Sequence, residues 1–224
     1  MNLKHDHLTR QLDLINPDLQ NKPITIIGAG SIGSFLALNL AKCGWTDITV
    51  YDFDTVSVEN MSNQFFRFSD IGKNKVDALS DLVFDFTQVR IKAVNQRLIG
   101  DELQGSKGIL FYCVDSMQAR AGLTQFLGLS FFDLVIDLRM SSEFLAIYSF
   151  KPSNTTSYKN TLYADAESVA ERCTAKSTIY TATLAAAMAV KVLKNFTCSE
   201  NFIKFFQWDI KSNENFVSFS HEKN

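Results

Sequence analysis

Three glycines, Gly28, Gly30 and Gly33, and an acid, Asp52, are spaced for phosphate and ribose chemistry. In a GxGxxG turn between a strand and a helix, the missing side chains let backbone pass close to a phosphate. The helix that follows offers free N–H groups and partial positive charge. An acid about twenty residues further on is placed to hydrogen-bond a ribose hydroxyl. The polar series then continues through Asp54, Asn60, Gln64 and the run Asp70-Ile71-Gly72-Lys73-Asn74-Lys75. A dinucleotide dehydrogenase needs only the first acid. An asparagine, a glutamine and a lysine within reach of the same pocket suit a triphosphate instead. Lys75 offsets phosphate charge and Asn60 donates a hydrogen bond, whereas Lys73 reads as a solvated surface lysine.

The elements that must hold these groups are legible on either side. Ile24-Thr25-Ile26-Ile27 is a β-branched run, predicted as a buried strand. Phe35, Leu36, Leu38, Leu40 and Ala41 predict a helix that stops at Gly44, and Ile48 to Tyr51 a second strand ending at Asp52. The alternation continues with a helix over Val76–Phe86, strands over Val89–Val94 and Gly108–Val114, a helix over Met117–Leu127 and a strand over Leu134–Asp137. Such a βαβ rhythm predicts an α/β, Rossmann-like fold: a mostly parallel sheet with helices on both faces. From Phe144 the rhythm changes. A strand over Phe144–Tyr148, an alanine-rich helix over Ile179–Val192 and strands near Phe202–Trp208 and Phe216–Phe219 predict antiparallel additions at the C-terminal end. Between them, residues 151–178 form a long polar connection, and connections of that length are usually functional. Residues 1–22 form an N-terminal arm with one short helix ending near Pro17. One domain over residues 1–224 is expected, without internal repeats.

Composition narrows the chemistry. An apolar content of 46% and a charged content of 21% describe an ordinary globular chain. A net charge of −2 with no long basic run gives nucleic-acid binding no electrostatic support. No signal peptide and no membrane span are read, so a cytoplasmic location is expected. Cys43, Cys113, Cys173 and Cys198 form no CxxC pair, which argues against a structural zinc and a disulfide framework. His5, His7 and His221 all lie near the termini, so a Ser-His-Asp or Cys-His hydrolase centre has no histidine for its core. Cys43 and Cys113 read as core residues. Arg139, just past a strand's carboxyl end, either binds a substrate carboxylate or pairs with a nearby acid.

Five strings and one residue together resemble a known family: GAGSIG at 28–33, YDFDTVSVEN at 51–60, DIGKNK at 70–75, CVDSMQAR at 113–120 and His7-Leu8-Thr9-Arg10-Gln11, with Gln64. They resemble the ThiF/MoeB-type adenylyltransferases, related to the adenylation domains of ubiquitin-activating enzymes, and the resemblance covers nearly the whole chain. It implies ATP-dependent activation of a C-terminal carboxylate, giving an acyl-adenylate and pyrophosphate. The implied substrate is a ubiquitin-like or sulfur-carrier protein. By the same resemblance Gly28, Gly30, Gly33, Asp52, Asp54, Asn60, Gln64 and Lys75 bind ATP, with Asp52 on the ribose and Asn60 and Lys75 on the phosphates. Asp115 holds Mg²⁺, a role its place beyond a strand's carboxyl end also suits; otherwise it caps the helix near Met117. Arg10 matches an arginine that reaches into the partner's ATP site, which implies a homodimer. Cys173, flanked by Arg172 and Lys176 in the 151–178 crossover-type loop, matches the setting of a thioester-forming cysteine, and the alternative is a cysteine without chemistry. One arginine of the family pattern is Asn63 here, with Arg67 as a neighbouring substitute, and the zinc-binding cysteine pairs of many members are absent. Competing readings are adenylation of a small molecule, a peptide or a tRNA base, an NAD-dependent oxidoreductase, and a degenerate nucleotide-binding interaction module.

Overall fold

Five strands supply the parallel part of one sheet: β1 (Ile24–Ile27), β2 (Ile48–Asp52), β3 (Lys92–Asn95), β4 (Lys107–Tyr112) and β5 (Phe131–Ser141). Then β6 (Phe144–Phe150), β7 (Ile203–Asp209) and β8 (Glu214–Phe219) add to it antiparallel, giving the order β3-β2-β1-β4-β5-β6-β7-β8. The structure is a computed structural model, and it describes residues 8–15, 21–163 and 177–220. The α-helices are α1 (Ser31–Lys42), α2 (Lys75–Thr87), α3 (Met117–Gln125), α4 (Thr155–Lys159) and α5 (Ile179–Thr197).

Strand periodicity splits the core into two layers. Ile26, Val50, Phe111, Ile136 and Leu138 turn to one face, where α1, α2 and α5 bury Leu36, Leu40, Leu79 and Val83 against them. Ile27, Leu110, Tyr112 and Val135 turn to the other, under Leu123 of α3 and Tyr158 of α4. Helix α5 approaches α1 closely because its buried stripe, Ala182, Ala185, Ala186 and Ala189, is small at helical spacing. Thr178 caps α5 by accepting from the Thr181 N–H.

The α/β sheet with antiparallel C-terminal strands is the expected architecture, with three local differences. Residues 8–15 form turns rather than a helix, since so short a polar segment gains too few bonds to cover the cost of nucleation. The expected helix to Leu127 ends at Gln125 and tightens into a 3₁₀ turn over Leu127–Leu129. The start of the 151–178 segment is ordered rather than loop: a 3₁₀ turn over Pro152–Asn154 leads into α4, where Tyr158 stacks on Phe150 with ring centres 4.1 Å apart. Residues 164–176 lie outside the described residues. Among the described residues, no helix is long and apolar enough to cross a membrane.

Candidate nucleotide site

Strand order reverses direction between β1 and β4, and ligands of open α/β sheets bind beyond the carboxyl ends of strands at such a point. The glycine turn after β1 and the Cys113-Val114-Asp115 segment after β4 flank this crevice. Gly28 has φ +101°, and a Cβ there would sit 2.6 Å from the Cys113 carbonyl oxygen. A Cβ on Gly33 would sit 1.9 Å from the Gly28 carbonyl oxygen. Packing of the turn therefore demands glycine at both positions. Gly30 is different: a Cβ there meets nothing within 4 Å, so its side of the turn is open to a ligand. No side chain caps the twelve-residue α1, which leaves its N-terminal N–H groups for an anion. Gly33→Ala should destabilise the protein by about 1–3 kcal/mol through overpacking. Gly30→Ala should shift stability by less than about 0.5 kcal/mol yet weaken ATP binding. Thermal denaturation and nucleotide titration of the two variants check this contrast.

Asp52 is fastened to the turn. Its Oδ2 accepts from the Ala29 N–H at 2.6 Å and its Oδ1 from the Asp54 N–H at 2.8 Å. Burial raises its pKa, while those two N–H groups and the nearby Lys75 charge act the other way. Beyond it the chain folds back on itself. The Val56 N–H donates to Lys73 O at 2.8 Å, the Gly72 N–H to Val56 O at 2.9 Å and the Lys75 N–H to Asp54 O at 2.9 Å. This clamp lays Lys75, the first residue of α2, beside Asp54, with Nζ to Oδ2 at 2.9 Å. Lys75 is 7% exposed, a rare burial for lysine. Asn60 accepts from the Ser57 N–H through Oδ1 at 2.9 Å, which leaves its amide nitrogen as a donor. The Gln64 Oε1 is buried without a partner among the described residues, and the Phe65 N–H donates to Ser34 Oγ at 3.0 Å, tying this segment to the first turn of α1. Asp52, Asp54 and Lys75 thus come together beside the glycine turn, with Gln64 next to the Phe65 that bonds the first turn of α1.

Arg67 does not substitute for the arginine missing at Asn63. Its guanidinium is spent on Asp70, at 2.9 and 3.1 Å, and on Asp85, at 3.1 Å. Lys73 pairs with the same Asp70 at 2.9 Å. Burial alone would raise the Asp70 pKa, but the hydrogen bonds from Arg67 and Lys73 outweigh it and lower it to about 2. A lowered carboxylate contributes stability above its unfolded pKa, near 4, and loses it as pH falls through about 2. With both cations more than two-fifths exposed, the contribution should be about 1–2 kcal/mol. Asp70→Asn should be less stable than the parent by that amount at pH above 4, with the gap closing towards pH 2 in urea titrations. Asn63 itself donates from Nδ2 to Ser177 Oγ, at the base of α5, and its Oδ1 is buried without a partner among the described residues.

Asp115 is exposed just past β4, and among the described residues no side chain pairs with it. The cap of α3 is its neighbour Ser116, whose hydroxyl accepts from the Ala119 N–H at 3.0 Å, so capping is not the work of Asp115. A lone carboxylate at this point fits a magnesium ion that takes its other ligands from phosphate and water. Cys113 packs under Gly33, and burial raises its thiol pKa, as expected of a core cysteine.

Arg139, assigned to a substrate carboxylate or a nearby acid, pairs with the acid. Its Nε meets Asp137 Oδ2 at 2.6 Å, and its two NH groups donate to the Thr161 carbonyl at 2.9 Å and hydroxyl at 2.8 Å. With its donors engaged and its plane against Tyr148, it has no fork left for a substrate. Arg120 takes the other side of Asp137, Nε to Oδ1 at 2.7 Å, and the Tyr158 hydroxyl donates to Oδ2 at 2.9 Å. Asp137 is fully buried, and the sequence marks it only as a strand end; the signal for the cluster is Arg120, which stands in the CVDSMQAR string without a role. This cluster joins α3, which begins beside Asp115, to β5 and to the segment leading towards Cys173. Cys173 itself lies outside the described residues.

Arg10 is exposed on an arm that docks at the other end of α1: Leu8 is buried and Gln11 Nε2 donates to Lys42 O at 3.3 Å. At about 1.5 Å per residue, the twelve residues of α1 put that contact roughly 17 Å from the glycine turn of the same chain.

The ThiF family pattern matches residues 9–224. The NEDD8-activating enzyme E1 catalytic subunit of Caenorhabditis elegans is 36% identical over 124 residues, covering 54% of this chain and 28% of that protein. Ubiquitin-like modifier-activating enzyme 5 of Dictyostelium discoideum is 27% identical over 134 residues, covering 52% of this chain and 35% of its own. The matched part is roughly a third of the length of these curated relatives. Among solved structures, PaaA superposes with a TM-score of 0.75 at 17% identity, covering 98% of this chain and 75% of that one. E. coli MccB solved with ATP gives 0.71 at 13% identity, covering 96% and 70%. These two likenesses concern the fold. With its glycine turn, acid and lysine in register and the family pattern spanning nearly all of its length, the chain belongs to the ThiF family.

Proposed function

We propose that this chain is an adenylyltransferase that uses ATP to activate the C-terminal carboxylate of a ubiquitin-like or sulfur-carrier protein. One observation carries the reading beyond nucleotide binding: a buried lysine, Lys75, clamped beside Asp52 and Asp54 at the glycine turn. A ribose-binding acid alone would serve a dinucleotide; a buried ammonium beside it serves a polyphosphate. The curated relatives named for ubiquitin-like and NEDD8 activation support the substrate class.

In this reading the substrate carboxylate attacks the α-phosphorus of ATP, the bond to the bridging oxygen breaks, and pyrophosphate leaves. Asp52 orients the ribose. The N-terminus of α1, Asn60 and Lys75 hold the phosphates, with Lys75 exchanging its Asp54 contact for phosphate oxygen as negative charge builds on the leaving group. Asp115 would hold Mg²⁺, which supplies charge neutralisation for the phosphates when bound. Arg10, docked far from its own glycine turn, is read as serving the site of a second copy in a homodimer. Cys173 is read as the acceptor of a following thioester.

ATP–pyrophosphate exchange in the presence of candidate carrier proteins tests the proposal: exchange should appear only with a carrier that ends in a free carboxylate. ATP binding without exchange on any carrier would favour an interaction module or a non-protein substrate, and NAD binding in place of ATP an oxidoreductase. Asp115→Asn should raise the magnesium concentration needed for half-maximal exchange while leaving nucleoside binding intact. An unchanged magnesium dependence would remove Asp115 from the site.

A further inference from the structure

Helix α3 turns an arginine into the core where an apolar residue would be ordinary. Its buried side chains are Met117, Arg120, Leu123 and Thr124, one helical stripe, and Arg120 stands in the middle of it at 3% exposed. The guanidinium reaches β5 at two fixed points. Its Nε donates to Asp137 Oδ1 at 2.7 Å and its Nη2 to the Leu138 carbonyl at 3.0 Å. Asp137 is also held from elsewhere, by Arg139 at 2.6 Å and by the Tyr158 hydroxyl at 2.9 Å.

Stability alone does not call for this arginine. Apolar residues of similar volume commonly serve as well as a buried ion pair, or better. Asp137 would keep its charge partner, Arg139, if residue 120 were apolar. What an arginine adds is direction. The apolar contacts of Met117 and Leu123 have no preferred angle, so they resist separation of helix and sheet more than a small slide between them. Two hydrogen bonds to adjacent residues of one strand fix the helix along that strand.

The end so fixed is the one next to the nucleotide site. The Arg120 N–H donates to the Ser116 carbonyl at 3.3 Å, and Ser116 Oγ accepts from the Ala119 N–H at 3.0 Å, so Ser116 is held to the first turn of α3. Asp115 is the preceding residue, exposed and paired with no side chain among the described residues. A magnesium ion demands near-ideal octahedral geometry, and a ligating carboxylate is ordinarily aimed by hydrogen bonds of its own. For Asp115 that aim has to come through the main chain, from the helix that follows it.

We propose that Arg120 is a positioning residue: by pinning the first turn of α3 to Asp137 and Leu138, it sets where Asp115 presents its carboxylate to the magnesium of the bound nucleotide. The proposal rests on the reading of Asp115 as the magnesium ligand. Its test is calorimetric titration of the full chain with ATP at a series of magnesium concentrations, beside urea denaturation of each variant. Arg120→Met leaves Asp137 paired with Arg139, and Arg120→Lys keeps the charge without the fork, so both should fold. Both should bind ATP like the parent without magnesium, and need about 10-fold more magnesium for the half-maximal gain in ATP affinity. Leu123→Ala weakens the same helix without touching the guanidinium bonds; it should lower the urea midpoint and leave the magnesium requirement unchanged. Asp115→Asn combined with Arg120→Met should need no more magnesium than Asp115→Asn alone. A parent-like requirement in Arg120→Met, full rescue by Arg120→Lys, an equal rise in Leu123→Ala, or additive effects with Asp115→Asn would overturn the role of Arg120. A parent-like requirement in Asp115→Asn would sink the underlying reading and this proposal with it, whereas a rise in Asp115→Asn without one in Arg120→Met would strike Arg120 alone.

Discussion

Lys75→Ala is expected to lower ATP–pyrophosphate exchange by about 10²–10³-fold, the usual cost of removing one preorganised group that stabilises transition-state charge. The fold should survive. Lys75 is buried, but its partner Asp54 has a side chain 49% exposed, so the substitution strands no charge in the interior. The α2 helix keeps its first turn, since the Lys75 main chain, not its side chain, makes the bond to Asp54 O. Lys75→Arg should recover little, because a rigid planar fork replaces a compact ammonium in a tight space. Exchange near the parent rate in Lys75→Ala, with ATP still bound, would show that the lysine holds Asp54 and nothing else.

The second large effect concerns stability. Asp137→Ala removes the acid that, among the described residues, alone pairs with Arg120 and Arg139, whose side chains are 3% and 10% exposed. Two guanidinium groups would then sit buried without a counter-charge, and removing one partner of such a pair destabilises by about 3–5 kcal/mol. The cluster also carries the Tyr158 hydroxyl and, through Arg139, Thr161, so the loss should be felt along α4 as well as β5. Urea denaturation of the parent and Asp137→Ala measures the effect directly. A difference under about 1 kcal/mol would mean that the arginines find other acceptors, the Leu138 and Thr161 carbonyls being the nearest.

How much of this was legible in the sequence depends on where each constraint lives. The glycine turn, Asp52 and Lys75 belong to one strand–turn–helix–strand unit and its return, where local chain geometry dictates residue type. Gly28 and Gly33 are glycine because backbone passes within contact distance of them, and that kind of demand leaves a pattern in the sequence. The antiparallel end of the sheet was likewise visible as a break in the βαβ rhythm after Asp137. The fate of Arg67 and Arg139 was not. Each has an acid within three positions, but whether a guanidinium turns to that acid or to a ligand depends on what packs over it. Arg120 finds Asp137 from another element, 17 residues away in sequence. Ser149 is an ordinary strand residue by sequence; its burial without a partner among the described residues sets it apart. Apolar spacing predicts a helix in the arm, but its apolar residues dock individually, Leu8 in the core and Ile15 against it.

The central claim, that a carboxylate is joined to the α-phosphate of ATP, is tested most directly by oxygen transfer. A carrier protein bearing ¹⁸O in its C-terminal carboxylate is incubated with the enzyme, ATP and magnesium, the adenylate is discharged with hydroxylamine, and the released AMP is analysed by mass spectrometry. If the carboxylate attacks the α-phosphorus, one labelled oxygen appears in AMP for each carrier activated, in step with pyrophosphate release. ATP consumed with all label retained in the carrier, or ADP and phosphate formed in place of AMP and pyrophosphate, would contradict adenylation.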